Sequence, residues 1–270
     1  MDLTLSGSLP GGLGAVVREV SLDRGDKVNG IDDAMIGQLH RALDAAEADP
    51  RCRVLVIVSA PGVFSTGMNL AAAGRAADGP GANGHSADSP DAAALEAGGA
   101  FFDLLLRFRS APLMVVSAVD GQVAGGGVGI VAASDVVYTT HRGGFALPEA
   151  LWGLLPCCVL PFLVRRIGFQ KAYAMTLTTR PLDADEAVRS ALADELATDL
   201  AAAVRRLAVR AARLDRSTIG DLKQYTARLW PLTEDARALA VGELGRLMAL
   251  PEVRARLTEF AQHGRFPWER

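Results

Sequence analysis

Hydrophobic positions along the chain change character once, near residue 198. Before that point, short apolar runs interleave with helical stripes. After it only the helical stripe remains. Residues 13–22 alternate as a strand does. Asp32 or Asp33 can cap a helix running to about residue 48, with Ile36, Leu39 and Leu43 at helical spacing. Residues 53–59 (RVLVIVS) form a continuous apolar strand of the kind buried on both faces. Pro61-Gly62 turns the chain into FSTGMNL at 64–70. A helix over 92–108 carries Leu95, Phe102, Leu105 and Leu106 as its stripe. A buried strand at 113–117 then enters a turn, three glycines and an apolar segment of helical character. Residues 135–140 and 143–146 predict two more strands. Residues 159–177 predict two helices punctuated by Gly168, and 183–190 a short helix capped by Asp183 or a neighbour. Helices over 199–214, 217–229, 233–248 and 251–262 close the chain. Mixed strands and helices followed by helices alone predict an α/β core over 1–197 and a C-terminal helical segment over 198–270.

One segment stands apart. Residues 74–90 (GRAADGPGANGHSADSP) are rich in glycine, proline, serine and aspartate, which predicts a mobile loop. It is either a lid that orders on substrate or a plain insertion. His85 inside it reads as a solvated loop histidine.

Composition narrows the function classes. A chain of 270 residues, 50% hydrophobic, can bury a large core. A net charge of −3 and the lack of a long basic run argue against nucleic acid, and 6% aromatics leave few stacking platforms for bases. No apolar run matches a membrane span, and MDLTLSGSLPGG lacks the order of a signal peptide. Cys52, Cys157 and Cys158 are odd in number, with two adjacent, as expected of a reduced cytoplasmic chain. His40, His85, His141 and His263 show no metal-ligand spacing, so no metal is expected.

The candidate chemistry lies at strand ends. Ser65-Thr66-Gly67-Met68-Asn69 and Ala124-Gly125-Gly126-Gly127 each follow a buried strand. Neither has the spacing of a phosphate loop, and Ser65 lacks the surroundings of a nucleophile elbow. Glycines at a helix start either serve a tight strand-to-helix crossing or let a ligand approach N–H groups that stabilise negative charge. One donor from each loop would form an oxyanion hole if the loops converge. Glu149, after Pro148 and among Leu147, Ala150, Leu151 and Trp152, is either a helix-start glutamate satisfying backbone N–H groups or an acid–base group tuned by desolvation. Asp120 and Asp135 read as local structural residues.

Taken in order, these motifs resemble the crotonase (enoyl-CoA hydratase/isomerase) superfamily over about residues 13–196. The resemblance implies a spiral core of ββα units. FSTGMNL is similar to the first oxyanion loop, with the donor on the Met68 backbone N–H. VDGQVAGGGVGIVAASD is similar to the second, with the donor on Gly126. FALPEALWGLLP is similar to the segment bearing a catalytic glutamate, which falls on Glu149. Gly67, Gly125 and Gly129 would line the substrate. The hydratases of fatty-acid oxidation carry a second glutamate where this chain has Gly129.

GGGVGIVAASD and residues 154–179 resemble more closely the dehydratases of polyketide β-branching cassettes, which act on 3-hydroxy-3-methylglutaryl groups carried on an acyl carrier protein. The related decarboxylases lack the equivalent of Glu149. Asn69 departs from a common aspartate. The resemblance implies no cofactor beyond the phosphopantetheine of the carrier or of CoA, a carrier-protein partner and a homotrimer or dimer of trimers. Arg75, Arg107, Arg109 and Lys223 are candidate cations for an acidic carrier. The alternatives are a general hydratase or isomerase on acyl-CoA, or a noncatalytic thioester-binding member.

Overall fold

The computed structural model describes residues 11–23, 28–68 and 90–269. Five parallel strands form one sheet: β1 (Val17–Ser21), β2 (Val54–Val58), β4 (Met114–Val119), β6 (Val136–Thr139) and β9 (Glu195–Leu196), in that order. A second sheet orders β3 (Gly62–Ser65), β5 (Gly121–Ala124), β7 (Gly144–Ala146) and β8 (Leu182–Asp183), with only the last pair antiparallel.

The two sheets are linked by a repeating path. β2 leads into β3 and then helix α2 (Pro90–Ser110). β4 leads into β5 and helix α3 (Gly126–Ala133), and β6 leads into β7 and a 3-10 turn (Glu149–Trp152). Each ββα unit stacks its strands on those of the unit before, which is the expected crotonase-like spiral. Gly121 lets the units nest: a β-carbon there would fall within 2.3 Å of the Gly62 carbonyl.

β2 is apolar throughout because it is covered twice. Leu55 and Ile57 face the main core with helix α1 (Asp33–Ala48) and α2. Val54, Val56 and Val58 face helix α7 (Leu200–Ala211) through Leu200, Ala203, Val204 and Ala208. Along the chain, helices α4 (Leu160–Ile167), α5 (Phe169–Thr178) and α6 (Ala184–Arg189) come between the 3-10 turn and α7. The Asp32 side chain caps α1 by accepting from the Met35 N–H (2.9 Å). Asp183 caps α6 with Glu186 in a capping box.

The chain closes with α8 (Arg216–Leu229), α9 (Glu234–Met248) and α10 (Pro251–His263). α9 lies close against α2, where β-carbons on Gly98 and Gly245 would meet Leu244 (2.8 Å) and Leu95 (2.6 Å). Arg237 donates twice to Asp103 across that contact (2.6 and 2.7 Å). Ala240, Leu247, Val253 and Leu257 join the main core. Among the described residues no helix is long and apolar enough to cross a membrane.

The strand expected over 13–22 is shorter, since Gly11–Ala15 is a 3-10 turn. β3, β5, β8 and β9 were not expected. The turn expected after residue 117 contains a strand, because β4 runs on to Val119 and residues 121–124 then pair with β3 and β7 in the second sheet. Asn69, Arg75, His85 and all but the last residue of the 74–90 segment lie outside the described residues.

Candidate active site

The two glycine loops meet. A β-carbon on Gly67 would lie 2.8 Å from the Ala124 carbonyl oxygen, 3.1 Å from the Gly126 nitrogen and 3.2 Å from Gly125 Cα. Gly67 has φ +83° and Gly125 +52°, so both positions need the left-handed region as well as the space. The first loop is braced from behind. Ser65 Oγ donates to the Asn29 carbonyl (2.8 Å) and accepts from the Gly67 N–H (3.2 Å). The Ile31 N–H donates to the Gly67 carbonyl (2.8 Å), next to Met68. The second loop is held by the Gly125 N–H on the Ala146 carbonyl (3.0 Å). Gly126 is the first residue of α3, so its N–H has no acceptor within the helix.

Glu149 reaches this crossing. β7 delivers the chain through buried Leu147 to Pro148, and Glu149 opens the 3-10 turn. Its Oε1 would lie 3.1 Å from a β-carbon on Gly125. Its Oε2 is buried and makes no hydrogen bond. Burial pushes the carboxyl up to about 7. The carboxyl therefore changes charge near neutral pH beside a pair of strand-end loops, as acid–base catalysis requires.

Gly129 lies one turn further along α3, against hydrocarbon. A β-carbon there would meet Val159 (3.1 Å), Leu105 (3.3 Å) and Phe101 (3.3 Å). A β-carbon on Gly126 would meet Ile31 (3.0 Å) and the same Phe101 ring (3.4 Å). This wall is apolar and packed. Leu105 belongs to the expected stripe of α2, whereas Phe101 was missed because its neighbour Phe102 fits that stripe equally well. Phe101 is nonetheless buried.

Of the cations singled out for a carrier, the three described, Arg107, Arg109 and Lys223, do not form a free basic surface. Lys223 is buried, donating to Asp135 (2.6 Å) and to the Phe108 and Leu113 carbonyls (2.7 and 2.9 Å). Arg109 is buried near the Trp230 carbonyl (3.4 Å). Arg107 is tied to Asp44 (2.7 Å) and Glu47 (3.2 Å). Long charged side chains near helix ends were drawn inward to satisfy carbonyls and carboxylates. Asp135 also accepts from the Val115 N–H (2.7 Å), and Asp120 accepts from Thr140 (2.5 Å) and Arg142 (2.9 Å), so both are structural.

The spiral of ββα units, with two abutting glycine loops and one buried glutamate, defines an enzyme of the crotonase fold. The enoyl-CoA hydratase/isomerase family model matches residues 13–269, and the chain belongs to that family. It is 30% identical to the bacillaene synthase dehydratase PksH of Bacillus subtilis, covering 100% of this chain and 99% of that one. It is 29% identical to EchA14 of Mycobacterium tuberculosis, named a probable enoyl-CoA hydratase, over 90% and 93%. The solved PksH structure superposes with a TM-score of 0.82 at 29% identity, covering 93% of this chain and 96% of that one. An enoyl-CoA hydratase structure from Mycobacterium avium gives 0.78 at 27% identity, covering 95% of each. The chain is a hydro-lyase of this family, similar to a dehydratase of polyketide biosynthesis.

Proposed function

We propose that the protein removes water from 3-hydroxy-3-methylglutaryl-acyl carrier protein, giving 3-methylglutaconyl-acyl carrier protein during polyketide β-branching. The observation that carries this reading is the buried carboxylate of Glu149 at the loop crossing, with hydrocarbon around Gly129. The full-length similarity to PksH supports it.

The thioester oxygen accepts from the Met68 and Gly126 backbone N–H groups. Glu149 takes the proton from the carbon next to the thioester, and the bonding pair moves to the oxygen as an enolate. The enolate collapses to a carbon–carbon double bond as the C3 hydroxyl leaves. Glu149 returns its proton to that hydroxyl, so water departs and the carboxylate is restored. One group serves as base and then acid, consistent with its position near neutrality. Each fixed oxyanion donor in such a site contributes about 3 kcal/mol. Gly67 and Gly125 let the acyl group reach the donors, and Gly129 leaves no second charge to repel the substrate's distal carboxylate.

The phosphopantetheine arm is part of the substrate, and no other cofactor is proposed. The assembly proposed is a homotrimer or dimer of trimers in the cytoplasm. The test is mass spectrometry of a 3-hydroxy-3-methylglutaryl carrier protein incubated with the enzyme. Loss of one water supports the reading. Turnover of straight-chain enoyl-CoA thioesters with none of the carrier substrate overturns it in favour of a general hydratase. Binding without turnover of either identifies a noncatalytic thioester binder.

A further inference from the structure

The turn bearing Glu149 is held from outside by the end of the chain. Trp152 closes that turn and is buried at 3% exposure. Its ring meets Phe260 of α10 edge-on (centroids 5.0 Å), and Phe266 and Trp268 beyond α10 at 6.1 and 6.2 Å. Phe266 in turn stacks on Trp268 (4.8 Å) and tilts against Phe260 (5.0 Å). Arg256 of α10 donates to the Trp152 carbonyl (3.0 Å). The next residue, Gly153, has φ +80°. A β-carbon there would press on the tip of the Arg256 side chain, and the positive φ is what favours glycine at the end of the turn.

We propose that Arg256 and the Trp152–Phe260–Phe266–Trp268 cluster are positioning residues for Glu149, keeping its carboxylate at the Gly125 crossing and away from water. The proposal rests on the reading of Glu149 as the acid–base group. None of these four aromatic rings needs to touch substrate. They act through the turn: Arg256 fixes its last carbonyl, and the stacked rings cover its solvent side. The helical segment at the end of the chain is thereby coupled to the chemistry three residues from Trp152.

Among the described residues, the charged and titratable groups on the elements around the turn include Lys171 and Tyr173 of α5, which packs on it. Cys157, just after the turn, is pushed up to about 11, chiefly by burial, and stays neutral through the relevant range. Glu243 and Arg246 of α9 pair with each other (2.6 Å). Arg256 carries one fixed charge. Desolvation is the largest influence on Glu149, so thinning the cover moves its titration downward.

The experiment compares Arg256→Lys, Arg256→Met, Trp268→Ala and Phe266→Leu. Trp268 is 53% exposed, so its removal does not open the core. The Glu149 carboxyl is titrated by 13C NMR in labelled protein, and kcat and KM are measured against pH. Circular dichroism reports the folded fraction. Arg256→Met and Trp268→Ala should lower the titration midpoint by about one unit. They should also cut kcat about tenfold with little change in KM, while Arg256→Lys keeps most of both. An unmoved midpoint, with kcat falling only in step with the folded fraction, overturns the proposal. The NMR titration needs no turnover, so it separates this proposal from the catalytic reading. If Glu149→Gln remains active while the midpoints move as stated, the catalytic assignment fails and the positioning effect stands.

Discussion

Glu149 Oε1 and Gly125 are so close that a β-carbon on the glycine would stand 3.1 Å from the carboxylate oxygen. The acid–base group is therefore packed against the second loop. Replacing Glu149 by Gln keeps the shape and removes the proton carrier. Turnover of the carrier-bound thioester should fall at least about a hundredfold, with KM little changed. Near wild-type turnover would remove Glu149 from the mechanism.

The same burial makes stability depend on pH. The folded carboxyl lies at about 7, above the ordinary 4.5. The folded state thus binds the proton more tightly than the unfolded chain. Its stabilising effect is full below about 4.5 and is lost as pH rises through 7. The difference amounts to about 3 kcal/mol. Glu149→Gln should therefore melt higher than wild type at pH 8, with the advantage gone near pH 5. Below pH 7 wild-type kcat should fall with the ionised fraction. Equal pH dependence of Tm in the two proteins would contradict the buried-carboxyl account.

The loop crossing predicts a contrast between glycines. Gly67→Ala must place its methyl against the Ala124 carbonyl at φ +83°, where both partners are backbone. Strain alone costs about 1–3 kcal/mol, and displaced N–H donors should cost more than about a hundredfold in kcat. Gly62→Ala is also strained, at φ +107°, yet meets nothing within 4 Å. It should lower Tm while leaving turnover per folded molecule intact. Assaying both variants for melting and kcat separates strain from site geometry.

Gly129 and Phe101 should be coupled. Gly129→Ala crowds Phe101, Leu105 and Val159 at 3.1–3.3 Å and should destabilise by about 1–3 kcal/mol. Adding Phe101→Leu provides room, so the double variant should lose less than the sum of the singles. Additive losses in urea unfolding would show that the Phe101 ring does not define the wall. Gly129→Glu introduces a carboxylate among hydrocarbon groups, and should lose stability without gaining hydratase activity.

The sequence made the strand-end motifs visible because their chemistry is local. FSTGMNL and the glycine triplet announce a backbone approach, and Glu149 sits in an apolar run. Their convergence depends on the pairing of β3, β5 and β7, a long-range relation that periodicity does not encode. β5 escaped notice because four residues with one glycine carry a weak strand signal. Phe101 and Phe102 are both buried, and a stripe analysis cannot tell which faces α3. The inward path of Lys223 was hidden for a related reason. A lysine on an amphipathic helix reads as solvated until α8 is seen to lie beside the end of α2.

Lys223 supplies the last prediction. Its ammonium binds Asp135 at 2.6 Å and two carbonyls that end α2 and precede β4. Lys223→Met fills similar space but leaves Asp135 without its cation and the carbonyls without their donor. The loss should be about 3–5 kcal/mol in urea unfolding. Asp135→Asn added to Lys223→Met should restore part of it, since no unpaired charge then remains. KM for the carrier-bound substrate should be unchanged in folded Lys223→Met. A raised KM with normal stability would return Lys223 to the carrier-docking surface.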